Sequence, residues 1–330
     1  MKPFAVLILL LGGLVAGCSS STPAQPKWVD EEVTFDADGL TLHGTYRHHT
    51  GDLPGPAALL ISESGNTDRN GDNRVAGPIG NMRQLAELLS DRGVASLRFD
   101  KVGTGRSGLG RFEQNPQEVV SAVYTLGADS ALRFLAGRPA TDPARLSIYA
   151  LGEGTVHAMA LAGDKDPDAP KVHSLGLFQP LPGRYLDVIT NRVTAAGSPE
   201  TVATWMESVE EIRSTGTVSD TLPDGLGAIV NPGNVKAVVE ADNIDPLALA
   251  AAVPAGTAVM LTCSDVDSQA RCDAMQPLVD ALSDTALTVV EFVGVSHVLR
   301  DDPTDSIANY ATPAPLSPQF VTALDDFVGR

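Results

Sequence analysis

Cysteine is scarce in this chain of 330 residues, which has only three. Three is too few for a scaffold built on disulfides, and an odd number leaves at least one cysteine with another fate. Positive charge is also short: 23 Lys and Arg stand against 41 Asp and Glu, for a formal net charge of −18. A field of that sign repels phosphate, which argues against nucleic acid or an anionic membrane surface as a partner. Only one long apolar run stands out, FAVLILLLGGLVA after Lys2. It is too short to span a bilayer. A mean hydropathy of +0.03 excludes a polytopic membrane protein. Cofactor and metal signatures are missing as well. Gly103-Thr104-Gly105 is too sparse for a dinucleotide fingerprint. The run from Asp68 to Asn73 lacks the sixth-position glycine and acidic twelfth residue of a calcium loop. No histidine is spaced to share a metal with the cysteines. No cofactor or metal is therefore expected.

What is present is a chain 43% hydrophobic and 19% charged, long and apolar enough to bury a large core. At its start, a basic residue, the apolar run and Leu14-Val15-Ala16-Gly17-Cys18 follow in the order of a secretory signal. The last five residues resemble the lipobox of bacterial lipoproteins. That resemblance implies a signal peptide over 1–17, a lipid such as palmitate on Cys18, and anchorage to a bacterial membrane in the cell envelope. Residues 18–27 then form a polar tether with no apolar face to bury. Export would place Cys263 and Cys272, which flank one short loop, where a disulfide persists.

From residue 28 to 330 the pattern is that of a single α/β domain. EEVTF and LTLHGTYRHH alternate around Asp38-Gly39 as a hairpin. Strand-like runs (AALLIS, VASLRFD, LSIYAL, HSLGLFQP, AVMLTCSD, ALTVVEFVGV) then alternate with helical ones (GNMRQLAELLSDRG, VVSAVYTLGADSALRFLAG, TVHAMALAG, DAMQPLVDALSD, SPQFVTALDDFVG). Such alternation predicts a mostly parallel twisted sheet with helices on both faces. Between about 183 and 253 the rhythm breaks into helical pieces with Gly- and Pro-bearing links, which predicts a helical cap over the carboxyl edge of the sheet.

Sites in open α/β sheets form at that edge. An acidic residue after one strand (Asp265 or Asp267) and His297 after the next follow the order in which an acid orients a catalytic histidine. LLISESGNTDRNG, SLRFDKVGTGRSG, SIYALGEGTVHAMALA, LFQPLPGRYLD, VMLTCSD and VSHVLRDD occur in this order. Together they resemble α/β-hydrolases of the serine-aminopeptidase and esterase group over most of the chain from Glu31 onward.

The resemblance implies an ester, amide or peptide hydrolase acting on a small molecule or peptide. It assigns His297 as general base and Asp265, ahead of Asp267, as the acid. The loop around Ser64 and the residue at Glu153 would form the oxyanion-hole region. Two positions depart from the pattern. The nucleophile slot in Ala150-Leu151-Gly152-Glu153-Gly154 holds Gly152, which has no side chain to attack with. Glu63 stands where the oxyanion loop usually carries glycine, and its charge opposes that hole if the side chain points inward. Thr155, Ser62 and Ser147 are poorly placed to substitute. The expectation is a catalytically impaired hydrolase relative that binds a ligand or partner in the former substrate pocket. The alternative is a hydrolase that uses Asp265 and His297 with an activated water or a non-standard nucleophile.

Overall fold

The structure is a computed structural model that describes residues 28–328 apart from 52, 64, 220, 221, 223 and 224. The signal segment, Cys18, the tether and Ser64 lie outside the described residues. The chain opens with an antiparallel hairpin of β1 (Trp28–Ala37) and β2 (Leu40–His49). Its turn is set by Asp38 at φ 53° and Gly39 at φ 78°, the left-handed pair that matches strand twist. Then follow β3 (Gly55–Ile61), α1 (Asn81–Asp91), β4 (Ala95–Phe99), α2 (Ser121–Ala136), β5 (Thr141–Leu151), α3 (Gly154–Ala162) and β6 (Ser174–Phe178).

Next come α4 (Tyr185–Ala196), α5 (Pro199–Thr215), α6 (Leu226–Ile229), α7 (Val235–Asn243) and α8 (Pro246–Ala251). The chain closes with β7 (Ala258–Ser264), α9 (Gln276–Ala281), β8 (Ala286–Phe292), α10 (Ile307–Tyr310) and α11 (Pro318–Val328).

The strands form one eight-stranded sheet in the order β1-β2-β4-β3-β5-β6-β7-β8. All pairings beyond β4 are parallel, as the alternation predicts. Central strands are apolar on both faces because helices cover both. In β3, Ala57, Leu59 and Ile61 face a core shared with α2 and α3, while Ala58 and Leu60 face α1 and α11. One predicted helix is shorter than its pattern. DAMQPLVDALSD yields a 3-10 turn over Cys272–Ala274 and an α-helix only over Gln276–Ala281, with Pro277 in its first turn.

Five helices, α4 to α8, lie between β6 and β7; α4 to α7 bury a cluster of their own around Leu186, Trp205, Ile212 and Val238, while Ala250 of α8 joins the main core. Buried Asp242 ties this layer together. It accepts from Leu186 N–H at 2.9 Å and from Arg213 Nε at 2.9 Å. Ser198 caps α5 by accepting from Thr201 N–H at 3.1 Å.

Candidate active site

The carboxyl ends of β3, β5, β7 and β8 converge on one point. After β5 the chain turns sharply at Gly152, with φ 55°, and enters α3. Gly152 N–H donates to Phe178 O on β6 at 3.0 Å, which fixes the turn to the sheet. A Cβ on Gly154 would lie 2.9 Å from the carbonyl oxygens of Ile61 and Ser62, so the close approach of α3 to β3 requires glycine there. The strand–turn–helix expected around 150–154 is present.

The space beside Gly152 is filled from the opposite loop. A Cβ built on Gly152 would lie 1.4 Å from Glu63 Oε2 and 2.3 Å from its carboxyl carbon. The shorter value is about the length of a C–O single bond. Glu63 therefore places an oxygen at bonding distance from the missing Cβ, as the hydroxyl of a residue-152 side chain would be. Glu63 Oε2 is 2.7 Å from His297 Nε2, and Glu63 Oε1 accepts from Glu153 N–H at 3.3 Å. The Glu63 carbonyl in turn accepts from the ammonium of buried Lys101, which follows β4 and lies 5.6 Å from the Tyr124 ring centre.

His297 follows β8 and is 2% exposed. Its Nδ1 is 2.7 Å from Asp267 Oδ2, so each ring nitrogen meets a carboxylate. Both nitrogens donate only in the imidazolium form. Burial pulls the ring toward neutrality, but Asp267 and Glu63 outweigh it and hold the pKa well above the ordinary histidine value. Behind the ring, Asp305 accepts from His297 N–H at 2.8 Å and from Tyr310 O–H at 2.6 Å. Burial raises the pKa of Asp305.

The acid assignment needs correction. Asp265, favoured from the sequence, is exposed and accepts from Gly294 N–H at 2.7 Å. Asp267 is fully buried and reaches the histidine. The turn decides between them: Asp267 Oδ1 accepts from Gln269 N–H at 2.8 Å and Ala270 N–H at 3.2 Å. Those bonds turn its other oxygen toward His297. The Cys263–Cys272 disulfide closes the base of this loop, as export would allow.

The other candidates fall where they cannot attack. Thr155 is buried with its hydroxyl on Gly152 O at 2.6 Å. Ser147 pairs with Ser174 inside the sheet at 2.8 Å, and Ser62 donates to Thr67 O at 3.3 Å. His157 packs under the elbow against Thr125 Oγ1 at 2.8 Å, and burial lowers its pKa to about 3. The side chain of Glu153 turns toward Lys101. Burial raises its pKa, a shift that Lys101 opposes.

Sequence reasoning missed Lys101, Asp305 and Tyr310. Only the Asp-Lys pair ending β4 carried a readable signal, since a lysine next to an apolar strand calls for a partner.

The loop that delivers Glu63 is firmly anchored. Asp100, buried at the end of β4, accepts from Arg69 N–H at 2.9 Å and Arg69 Nη2 at 3.0 Å, and from Arg106 N–H at 2.8 Å. A cavity of about 200 Å³ opens beside Glu63 and His297, walled by Ile79, Leu151, Val298 and Ile307. Among the described residues no cluster of His, Cys, Asp and Glu could hold a metal ion.

Comparison with known proteins fits this geometry at the level of fold. The chain is similar to an esterase of Pyrococcus furiosus at 16% identity and TM-score 0.57, covering 93% of this chain and 91% of that one. It is also similar to the α/β hydrolase GrgF of Penicillium at 15% identity and TM-score 0.57, over 92% and 100% of the two chains. A dienelactone hydrolase from Anabaena variabilis matches at 13% identity and TM-score 0.52, over 92% and 97%.

Among curated sequences, an uncharacterized Mycobacterium tuberculosis protein, Rv2307c, is 31% identical over 157 residues. Those residues are 48% of each chain, so the matched part spans about half of the relative. No protein-family model matches the sequence. The fold is the α/β-hydrolase fold, with a mostly parallel sheet between helical layers.

Proposed function

We propose that this chain is an exported, membrane-tethered α/β-hydrolase-like protein. In this reading serine-type hydrolysis is impaired, and the former substrate pocket binds a small-molecule or peptide ligand. One observation carries the proposal: Glu63 Oε2 fills the slot beside Gly152 and meets His297 Nε2 at 2.7 Å. Acyl transfer by an alcohol needs a hydroxyl in that slot, a neutral imidazole to take its proton, and an open amide for the oxyanion. Here the slot holds a carboxylate, the imidazole is held as its cation, and Glu153 N–H is engaged by Glu63 Oε1. The lipobox-like Leu14–Cys18 supports the tether, and the Cys263–Cys272 disulfide supports an oxidising compartment. The competing reading, hydrolysis through an activated water, draws on the intact His297–Asp267 pair.

The deciding experiment uses soluble protein beginning after Cys18, with short-acyl chromogenic esters, aminoacyl substrates and a fluorophosphonate probe. Wild type and Gly152→Ser are expected to be silent, the latter because Glu63 competes with a side chain at 152 for the same space and for His297. Glu63→Gly with Gly152→Ser clears the slot and supplies a hydroxyl. Its esterase rate is expected to exceed that of wild type by roughly 100-fold or more. Wild-type turnover that disappears in His297→Ala would sink the impaired reading. Expression in a bacterial host tests the tether: intact mass should show a lipid on Cys18, and Cys18→Ala should release the protein from membranes.

A further inference from the structure

We infer that the elbow is a carboxylate-binding site whose internal ligand is Glu63, so that the free molecules it takes are aliphatic monocarboxylates competing with Glu63. The inference rests on the reading above, that this site binds rather than turns over its ligand. Among the described residues two donors each take one oxygen of the Glu63 carboxylate: His297 Nε2 at 2.7 Å and Glu153 N–H at 3.3 Å. Both are held by parts of the fold that do not involve Glu63. His297 is oriented by Asp267 on its far nitrogen and by Asp305 on its backbone amide. Glu153 N–H sits at the N-cap of α3, where the helix dipole favours an anion.

The only tie between this carboxylate and the rest of Glu63 is its own short side chain. A free carboxylate can present the same two oxygens to the same two donors. The tail has a place to go. The cavity of about 200 Å³ starts at Glu63 and His297 and runs between Ile79, Leu151, Val298 and Ile307. It exceeds the ~150 Å³ of an aliphatic cavity known to admit benzene, so a six-carbon chain fits. Charge sets the class. An ammonium would face the same two N–H donors, and a dicarboxylate would set its second charge against a lining that is mainly apolar.

The test titrates wild type and Glu63→Gly with hexanoate, following the His297 ring resonances by NMR and the heat by calorimetry. Hexylamine and hexanol serve as controls. Hexanoate is expected to bind Glu63→Gly at least tenfold more tightly than wild type, because the internal competitor is gone. Adding His297→Gln should weaken that binding tenfold or more, and hexylamine should not bind. Equal hexanoate affinity in wild type and Glu63→Gly overturns the inference, as does a folded variant that fails to prefer hexanoate over hexylamine. If Glu63→Gly does not fold, Glu63→Ala also removes the internal carboxylate and empties the space it fills. An unchanged hexanoate affinity there overturns the inference equally. Ester turnover by wild type would defeat the impaired-hydrolase reading separately, since carboxylate affinity is measured with no substrate present.

Discussion

At the scale of single residues, the contest between Asp265 and Asp267 shows what sequence spacing cannot decide. Both follow β7, and both are acidic. Only the direction of a tight turn puts Asp267 Oδ2 at 2.7 Å from His297 and leaves Asp265 in solvent. Asp267→Asn should drop the His297 pKa toward its ordinary value and cost roughly 3–5 kcal/mol, the range for breaking a buried ion pair. Asp265→Asn should leave the His297 titration in place and cost within about 1 kcal/mol. NMR titration of the ring with denaturant unfolding reads both, and the reverse ranking would restore Asp265 as the orienting acid. Glu63 and Gly152 are a second case. Each is a visible departure from the hydrolase pattern in the sequence. That they meet in space becomes evident only when a side chain after β3 is seen to cross to the turn after β5.

At the scale of elements, the sequence was legible where hydrophobic period and turn chemistry agree. The hairpin at Asp38-Gly39, the strand–turn–helix at Gly152 and the apolar central strands all read through. The site loops did not, because their shape depends on contacts between distant segments. Arg69 on Asp100 is one such contact, and Lys101 on the Glu63 carbonyl is another. Histidine after β8 could be found by order alone; its second carboxylate could not. The loop from β7 to α9 allows an element-scale prediction. The disulfide joins residues nine apart and closes the loop that carries Asp267. Cys272→Ser should cost roughly 2–3 kcal/mol by chain entropy. It should also move the His297 pKa downward as Asp267 gains freedom. Urea unfolding and the same NMR titration check it, and an unmoved pKa would mean that the turn holds Asp267 unaided.

At the scale of the whole molecule, His297 is a joint between three parts of the sheet's carboxyl edge. Glu63 comes from the end of β3, Asp267 from the end of β7, and the histidine itself from the end of β8. A histidine whose pKa is raised on folding lends stability that is fully present below the unfolded value, about 6.5, and lost as pH climbs through the folded value. Global stability should therefore fall from near neutrality into the alkaline range, by no more than about 1.4 kcal/mol per pH unit from this group. Urea unfolding across that range should show the slope in wild type and its loss in His297→Gln. A wild-type profile flat above pH 6.5 would contradict a charged bridge.

The 1.4 Å between a would-be Cβ at 152 and Glu63 Oε2 also constrains descent. While Glu63 spans the gap, any side chain added at 152 must first displace the Glu63 carboxylate from His297 and from Glu153 N–H. The reverse order is open, since shortening residue 63 first leaves an empty slot that a serine can enter later. Two positions 89 apart in the chain are thus coupled, with the step at 63 easing the step at 152. Lineages holding small residues at both positions would be the intermediates that such a path requires.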